Sequence, residues 1–229
     1  KYIPASKYLF YSIQSLKKFI WYSEETDRFY KVEGYLNPYS DTIVPKISDA
    51  FVWDQKETGR KLIYGENTWN EAKAWVSDGN SFALMGDGTN AFIYKFYVNN
   101  LEAKNCYRIS SSVATDVLSA DFYAFSSTRS VLFYVKNNTL YAYNYDIGNE
   151  RVDMIPLETT DEITMLKFDL TMEPMKDALY IATYSAIEGG SLRKYYVGNN
   201  PDKVELKSDP KAVWKGLTKV KNMSWRALL

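Results

Sequence analysis

The sequence predicts an all-β fold built from about four copies of one antiparallel strand unit. Three observations support this prediction. Aromatic residues make up 16% of the 229 residues, and large rings pack well on the pleated surface of a sheet. Strand-like segments recur in groups of three, separated by polar turns. No long segment carries the 3.6-residue apolar period of a helix, and Asn70 to Val76 is the one short helical alternative.

The clearest copy of the unit runs from Val131 to Ile155. It reads as three strands joined by two polar turns, and the Asn and Gly residues in those turns supply tight-turn geometry. In the middle strand, period-two geometry predicts that Tyr141, Tyr143 and Tyr145 lie on one face. The same geometry predicts that Leu140 and Ala142 lie on the other.

Three further segments repeat this plan, one of them near the N-terminus. The last three of the four copies begin roughly 50 residues apart, which is typical of a four-stranded propeller blade with its loops. Such a blade needs one more strand before each triplet, and candidates lie at 72–76, 120–125 and 163–168. We therefore predict a β-propeller or partial propeller of about four blades, forming a single domain over 1–229. The predicted blade-like units are 8–33, 71–109, 118–156 and 162–207.

Two segments depart from the repeat. The stretch 34–70 reads as an irregular insertion and contains Asn37-Pro38 and Gly59. A lone strand is predicted at 219–227, where it could close a ring or begin a further blade. Four blades stand at the low end of the usual range of about four to eight. A small closed ring, an open arc completed by further sequence and an arc completed by a partner are the three alternatives.

Composition excludes several function classes. Lys+Arg and Asp+Glu are both 28, and this balance argues against a nucleic-acid binder or a protein drawn to anionic lipid. The chain has no His, which excludes Ser-His-Asp catalysis and imidazole zinc sites. The one cysteine, Cys106, is interpreted as a buried core thiol. We therefore expect no cofactor and no transition-metal site. No stretch approaches the roughly 20 apolar residues of a membrane-spanning helix, so we expect no direct membrane insertion.

The stretch 34–70 supplies the candidate binding residues. Exposed aromatic rings can stack on the apolar faces of sugars, and loops carry function more often than strands do. We predict Trp53, Tyr64 and Trp69 as ligand-binding residues. The alternative is that these rings pack the stretch onto the blades.

No catalytic residue is predicted. A glycosidase needs two carboxyl groups roughly 5–9 Å apart, and several acids stand near predicted strand ends. We interpret them as solvated turns and caps: Asp49, Asp54, Asp87, Asp121, Asp161 and Glu162. The segment Gly86 to Asn90 lacks the spaced acids of a calcium loop and the Lys of a phosphate loop, so we predict a hairpin turn there.

Two segments, Asp121 to Tyr134 and Asp161 to Phe168, resemble the C-terminal region of the PKD-like family of lipoproteins from Bacteroidetes. Weaker similarities follow in the same order, at 36–41, 180–192 and 214–220. Position 130 is Ser where the family pattern has Pro. The resemblance implies a place in the cell envelope, anchored to the outer membrane through an upstream N-terminal part, and carbohydrate handling. It brings no catalytic residues. The chain begins Lys1-Tyr2-Ile3-Pro4 without a signal peptide, so we expect it to be a piece of a longer protein.

These observations favour a non-enzymatic binding or scaffold module of a bacterial cell-surface lipoprotein. Its partner would be a glycan or another envelope protein. The alternative is a fragment of a propeller-type glycoside hydrolase or lyase. A third hypothesis is a purely structural part of a larger assembly.

Overall fold

The computed structural model describes residues 9–13, 18–23, 25–36, 43–49, 59–68, 80–97, 102–126, 129–168 and 178–223. Within these ranges the chain forms sixteen β-strands and one α-helix. The strands make four four-stranded sheets in which every neighbouring pair is antiparallel. The prediction of an all-β fold is confirmed. No helix of this part is long and apolar enough to cross a membrane.

Each sheet is a meander of four strands that are consecutive in sequence. Sheet 1 contains β1 Leu9–Ile13, β2 Lys18–Ser23, β3 Arg28–Leu36 and β4 Ile43–Asp49. Sheet 2 contains β5 Lys61–Thr68, β6 Asn80–Gly86, β7 Ala91–Tyr97 and β8 Glu102–Arg108. Helix α1, Ser111–Leu118, follows. Sheet 3 contains β9 Phe122–Phe125, β10 Val131–Lys136, β11 Thr139–Asn144 and β12 Arg151–Ile155. Sheet 4 contains β13 Glu162–Phe168, β14 Ala178–Ser185, β15 Gly189–Val197 and β16 Leu206–Leu217.

The chain divides into two compact units, Lys1–Ala114 and Thr115–Leu229. In the first unit, β1 lies beside β5, so the first strands of sheets 1 and 2 are neighbours. The buried Tyr22 hydroxyl joins these sheets, since it accepts a hydrogen bond from the Leu62 amide at 3.3 Å. The same hydroxyl donates to Asp27 at 3.0 Å. The prediction of a single domain over 1–229 stays a prediction.

In the second unit, β9 lies beside β13, so the first strands of sheets 3 and 4 are neighbours as well. One core cluster takes side chains from both sheets. At its centre the fully buried rings of Phe133 and Phe168 stack with their centroids 6.2 Å apart. Burying apolar area of this kind is the main force that holds two sheets face to face.

The predicted faces of β11 are confirmed for the residues from Leu140 to Tyr143, which lie within the strand. Its register with β10 and β12 runs without a shift, so side chains alternate along the whole strand. Leu140 and Ala142 belong to the core cluster, while Tyr141 lies opposite and stacks on Tyr134 at 5.2 Å. Tyr145 is buried but follows the last residue of the strand.

The stretch 34–70 is more regular than its sequence predicts, since it holds β4 and β5. Strand β4 was not predicted because it contains Pro45, and proline cannot donate a hydrogen bond to a neighbouring strand. The position is tolerated because β4 is the last strand of its sheet, with β3 on one side. The polar run Gly65-Glu66-Asn67 obscured β5, which also contains a register shift between Leu62 and Tyr64. The candidate strand 72–76 and the helical alternative Asn70 to Val76 lie outside the described residues.

Two further differences concern the second half of the chain. The lone strand predicted at 219–227 is wrong for 219–223, which is not a strand, and 224–227 lies outside the described residues. Helix α1 was not predicted, because its two turns are too short to display a clear helical period. It begins where the Ser110 carbonyl accepts the Ala114 amide at 2.9 Å, and it buries Ala114 and Val117.

Candidate functional site

The structure places one of the three predicted binding residues. Tyr64 lies in β5, is partly buried and pairs in register with Leu84. Trp53 and Trp69 lie outside the described residues. Ligand binding by these three side chains therefore stays a prediction.

A polar cleft lies at one end of sheets 3 and 4, and the sequence did not single it out. Its volume is about 570 Å³, within the usual range for ligand sites of roughly 300–1,000 Å³. Successive turns of a meander alternate between the two ends of a sheet, so the β9–β10, β11–β12 and β15–β16 connections meet at one end. These connections supply most of the lining: Arg129, Ser130, Val131, Asn144, Asp146, Asn149, Arg151, Asn199, Asn200, Pro201 and Val204.

Two arginines join the walls of the cleft. Arg129, before β10, donates to the Asn199 side-chain oxygen at 3.1 Å. Arg151, the first residue of β12, donates to the Pro201 carbonyl at 3.0 Å. Both bonds run from sheet 3 to the β15–β16 connection, so the guanidinium groups hold the cleft at a fixed width.

Asp153 supports this arrangement from β12. One of its carboxylate oxygens accepts from the Arg151 Nε at 3.2 Å and from the Val204 amide at 2.7 Å. The β15–β16 connection also closes on itself, since the Gly198 amide donates to the Glu205 carbonyl at 2.8 Å. A charged acceptor shared by a backbone amide and a guanidinium is among the stronger hydrogen-bond arrangements.

Several polar groups in the cleft have hydrogen-bonding capacity left over. The side chains of Ser130, Asp146 and Asn149 make no hydrogen bond within the described part of the chain. Asn144 uses its oxygen to accept the Asp146 amide at 2.9 Å, which leaves its two amide donors available. Together these groups offer an acceptor-only carboxylate, a hydroxyl that both donates and accepts, and planar amides with both functions. Such a mixture suits a ligand with many hydroxyl groups.

The described lining residues of the cleft supply one of the two acids that a glycosidase needs. Among its described lining residues, Asp146 is the one carboxylate. Across the described ranges, no group of three or more Cys, Asp or Glu residues could hold a metal ion. The expected absence of a transition-metal site stays a prediction.

Two smaller predictions can be checked in sheet 2. The Gly86–Asn90 hairpin turn is confirmed: the Asp87 carboxylate accepts the amides of Thr89 at 3.0 Å and Asn90 at 2.7 Å. These bonds hold the pKa of Asp87 down, at about 2.

The interpretation of Cys106 as a buried thiol is wrong, because Cys106 is exposed on the edge strand β8. The residues around Cys106 predict a strand correctly, but they do not show which face of that strand packs against the rest of the protein. Partial desolvation raises the pKa of the thiol, although the Arg60 guanidinium lies 4.0 Å from the sulfur. The protonated, unreactive form is therefore favoured.

Comparison with known proteins gives little further guidance. No family model matches the chain, and no curated protein matches it. Among solved structures, the chain is similar to a luciferin-regenerating enzyme with a TM-score of 0.35 and 14% identity. The match covers 86% of this chain and 61% of that structure, so the chain spans less than two thirds of its length. At this TM-score we draw no conclusion from the likeness.

Proposed function

We propose that the chain is a non-enzymatic binding module in which the polar cleft of sheets 3 and 4 holds a glycan. The observation that carries this proposal is the set of uncommitted polar groups at Ser130, Asp146 and Asn149, inside a cleft of ligand size. Sugar hydroxyls both donate and accept, so they match such a set better than an apolar ligand would. The cross-sheet bonds of Arg129 and Arg151 order the walls before a ligand arrives, which lowers the entropy cost of binding.

We further propose that the four sheets are propeller blades. Each sheet is a meander of four consecutive strands, as a blade is. The first strand of sheet 1 neighbours that of sheet 2, and the first strand of sheet 3 neighbours that of sheet 4. In a propeller the first strands of adjacent blades lie side by side around the axis, so the contacts of β1 with β5 and of β9 with β13 support this arrangement. A glycan cleft formed by loops at one end of two blades is consistent with it.

The location we propose is a bacterial cell surface, as part of an outer-membrane lipoprotein. It is supported by the sequence resemblance of Asp121 to Tyr134 and Asp161 to Phe168. If the module binds no glycan, we propose that it is an envelope scaffold that binds another protein.

The test is binding of neutral oligosaccharides, measured by calorimetry, together with an assay for new reducing ends. We expect saturable binding without products. Asn149→Ala should weaken binding about fivefold to tenfold, the equivalent of roughly 1–1.5 kcal/mol for one lost hydrogen bond. Its melting temperature should stay unchanged, because the Asn149 side chain makes no bond within the described residues. Asp202→Asn is the matched control, since Asp202 is exposed nearby but does not line the cleft.

The competing function is a fragment of a propeller-type glycoside hydrolase or lyase. It predicts product formation that Asp146→Asn abolishes, since Asp146 is the carboxylate among the described lining residues. Turnover lost in that variant would contradict a non-enzymatic module. Absence of both binding and turnover across a broad oligosaccharide panel would contradict the glycan proposal itself.

A further inference from the structure

Sheet 4 carries a second surface on the side opposite its core cluster. Along β15, Tyr195 and Val197 enter the core cluster, so Lys194 and Tyr196 lie on the other face. Register places Tyr180 beside Lys194, and Lys207 beside Tyr196. We name this surface the aromatic-lysine face, and it comprises Tyr180, Lys194, Tyr196, Lys207 and Trp214.

The rings of this face are ordered by one another and by charge. Trp214 is 44% exposed and stacks on Tyr180, with centroids 6.4 Å apart and an interplanar angle of 26°. The Lys194 ammonium lies 5.7 Å from the Tyr180 ring and 5.1 Å from the Tyr196 ring. The Tyr196 hydroxyl donates to Asp209 at 3.0 Å. The result is a partly exposed indole that stacks on the Tyr180 ring.

The segment around β16 is strongly basic, although the whole chain has a formal net charge of zero. Residues 203–221 contain six lysines against two acids, which leaves a net charge of +4. Lys203 pairs with Glu205 at 2.6 Å, and Lys219 pairs with Glu162 at 2.7 Å. Strand β16 itself exposes Lys207, Lys211 and Lys215, and its register with β15 places Lys207 on the same face as Tyr196.

We propose that the aromatic-lysine face binds an acidic polysaccharide. A sugar ring would stack on Trp214, while carboxylate or sulfate groups on the chain would pair with the lysines of β16. An acidic sugar presents both an apolar C–H face and a negative charge, so it complements an exposed indole on a strand that also exposes three lysines. Strand β16 runs beside the residues from Gly190 to Val197 of β15, a length of about 25 Å, enough for several sugar rings in a row. A nucleic acid has comparable charge, but nucleic-acid domains carry a basic excess that a chain of pI 6.6 lacks.

Lysines on an edge strand have a second possible role, since they discourage pairing of strands between chains. Strand β16 is an edge strand of sheet 4, so the experiment must separate ligand binding from self-association. The oligomeric state of each variant is therefore measured by size-exclusion chromatography beside the binding assay.

The probes are heparin and polygalacturonate, with neutral dextran and single-stranded DNA as comparisons, titrated at several salt concentrations. The triple variant K207Q/K211Q/K215Q should bind heparin at least tenfold more weakly. It should also reduce the slope of log affinity against log salt, by up to about 3, because each lysine displaces counterions from the polyanion. Trp214→Ala should weaken binding several-fold and leave the slope unchanged, because it removes stacking and no charge.

Matched controls come from the same chain. Lys61→Gln removes an exposed lysine of β5, and Ile187→Ala trims a side chain that is 96% exposed on the β14–β15 turn. Neither should change heparin binding. If the triple variant self-associates, Lys207→Gln and Lys215→Gln are measured singly, and each should weaken binding.

Four results would overturn the proposal. They are unchanged affinity and salt slope in the lysine variants, no effect of Trp214→Ala, dextran binding as tight as heparin binding, and tighter binding of single-stranded DNA than of either acidic polysaccharide. The outcome is separable from that of the cleft. Asn149→Ala should leave heparin binding intact. If this variant loses heparin binding, heparin binds in the polar cleft, and that result contradicts the aromatic-lysine face as the site.

Discussion

Asn138 shows how one turn residue can serve two sheets. With Asn137 it forms the two-residue turn between β10 and β11, and both residues have positive φ, at 49° and 58°. Asparagine tolerates this left-handed region better than most residues, which is why the sequence predicts the turn. The Asn138 side chain also reaches sheet 4, where its oxygen accepts the Ile163 amide at 2.7 Å. Its amide donates to the Asp161 carbonyl at 3.1 Å.

Substitution of Asn138 separates these two roles. Asn138→Gly keeps the positive φ but loses the bonds to sheet 4, and we expect it to lower the free energy of unfolding by about 1–2 kcal/mol. Asn138→Ala loses the bonds to sheet 4 and also disfavours the positive φ, so it should lower the free energy of unfolding by about 1 kcal/mol more than Asn138→Gly does. Urea denaturation measures the three proteins side by side. Equal stability of Asn138→Gly and the parent would show that the link to sheet 4 contributes nothing.

The residues of the cleft illustrate what a sequence does not reveal. Asp146 and Asn149 are turn-forming residues between two predicted strands, Asn144 ends the first of these strands, and in the sequence these roles account for all three. Nothing in the sequence says that the β15–β16 connection stands opposite them, 50 residues further on. Only the pairing of sheet 3 with sheet 4 brings Asn199 to Arg129.

At the scale of whole elements, strands with an alternating aromatic pattern were predictable, while the edge strand β4 and most of the edge strand β16 were not. The central strands β10, β11 and β14 bury apolar side chains on both or alternate faces, so their sequences are rich in Val, Leu, Ile, Phe and Tyr. The edge strand β4 contains Pro45, and the edge strand β16 contains Pro210 within a register shift. An edge strand is hydrogen-bonded on one side only, so it tolerates proline and needs fewer buried side chains. Its sequence therefore differs less from that of a loop.

The contact between β15 and the end of β16 depends on Gly190. A Cβ atom there would lie 2.1 Å from the Thr218 carbonyl oxygen and 2.8 Å from its carbon, so the backbone would have to separate. We expect Gly190→Ala to cost about 2 kcal/mol or more of unfolding free energy, in line with overpacked sites. Gly198→Ala is the control, since its Cβ would make ordinary contacts at 3.5 Å to Glu205. Thermal melts compare the two variants, and equal losses would contradict the close approach at Gly190.

At the scale of the whole molecule, the number of repeats and their class followed from the sequence, because four aromatic-rich groups of strands recur with polar turns between them. Their boundaries did not follow. In sheets 2, 3 and 4 the structural repeat begins with a strand that precedes the predicted triplet, and in sheet 2 this is β5, in a stretch predicted to be irregular. In sheet 1 the predicted triplet is β1 to β3, and the strand that was missed, β4, comes last. The zero net charge did not reveal the basic β16 region, because it averages that region with acids elsewhere.

Buried tyrosines in both units make the stability of the molecule sensitive to high pH. Burial raises the pKa of Tyr134 to about 12, with the negative charges of Asp116 and of an ionised Tyr141 adding to the effect. Desolvation also raises the pKa of Tyr94 and of Tyr195. Above pH 10 the unfolded chain loses these protons while the folded chain keeps them. The folded state then binds more protons, so stability falls as the pH rises.

We therefore expect a small decline in the free energy of unfolding above about pH 8.5, because the Cys106 thiol, whose pKa is raised, keeps its proton in the folded chain, and a larger, steady decline between about pH 10 and 12. The Tyr134 contribution should be on the order of 1–2 kcal/mol, since its environment is only partly desolvated. Tyr134→Phe removes the ionisable group but keeps the ring that stacks on Tyr141 at 5.2 Å, so its decline over this range should be shallower by that amount. Tyr141→Phe removes the hydroxyl of the other ring in the stacked pair, which is the last and smallest cause of the raised Tyr134 pKa, so its decline should be only slightly shallower than that of the parent. Urea denaturation at half-unit pH steps measures all three proteins. A decline in Tyr134→Phe as steep as that of the parent would show that the Tyr134 hydroxyl is as easily ionised in the folded chain as in the unfolded one.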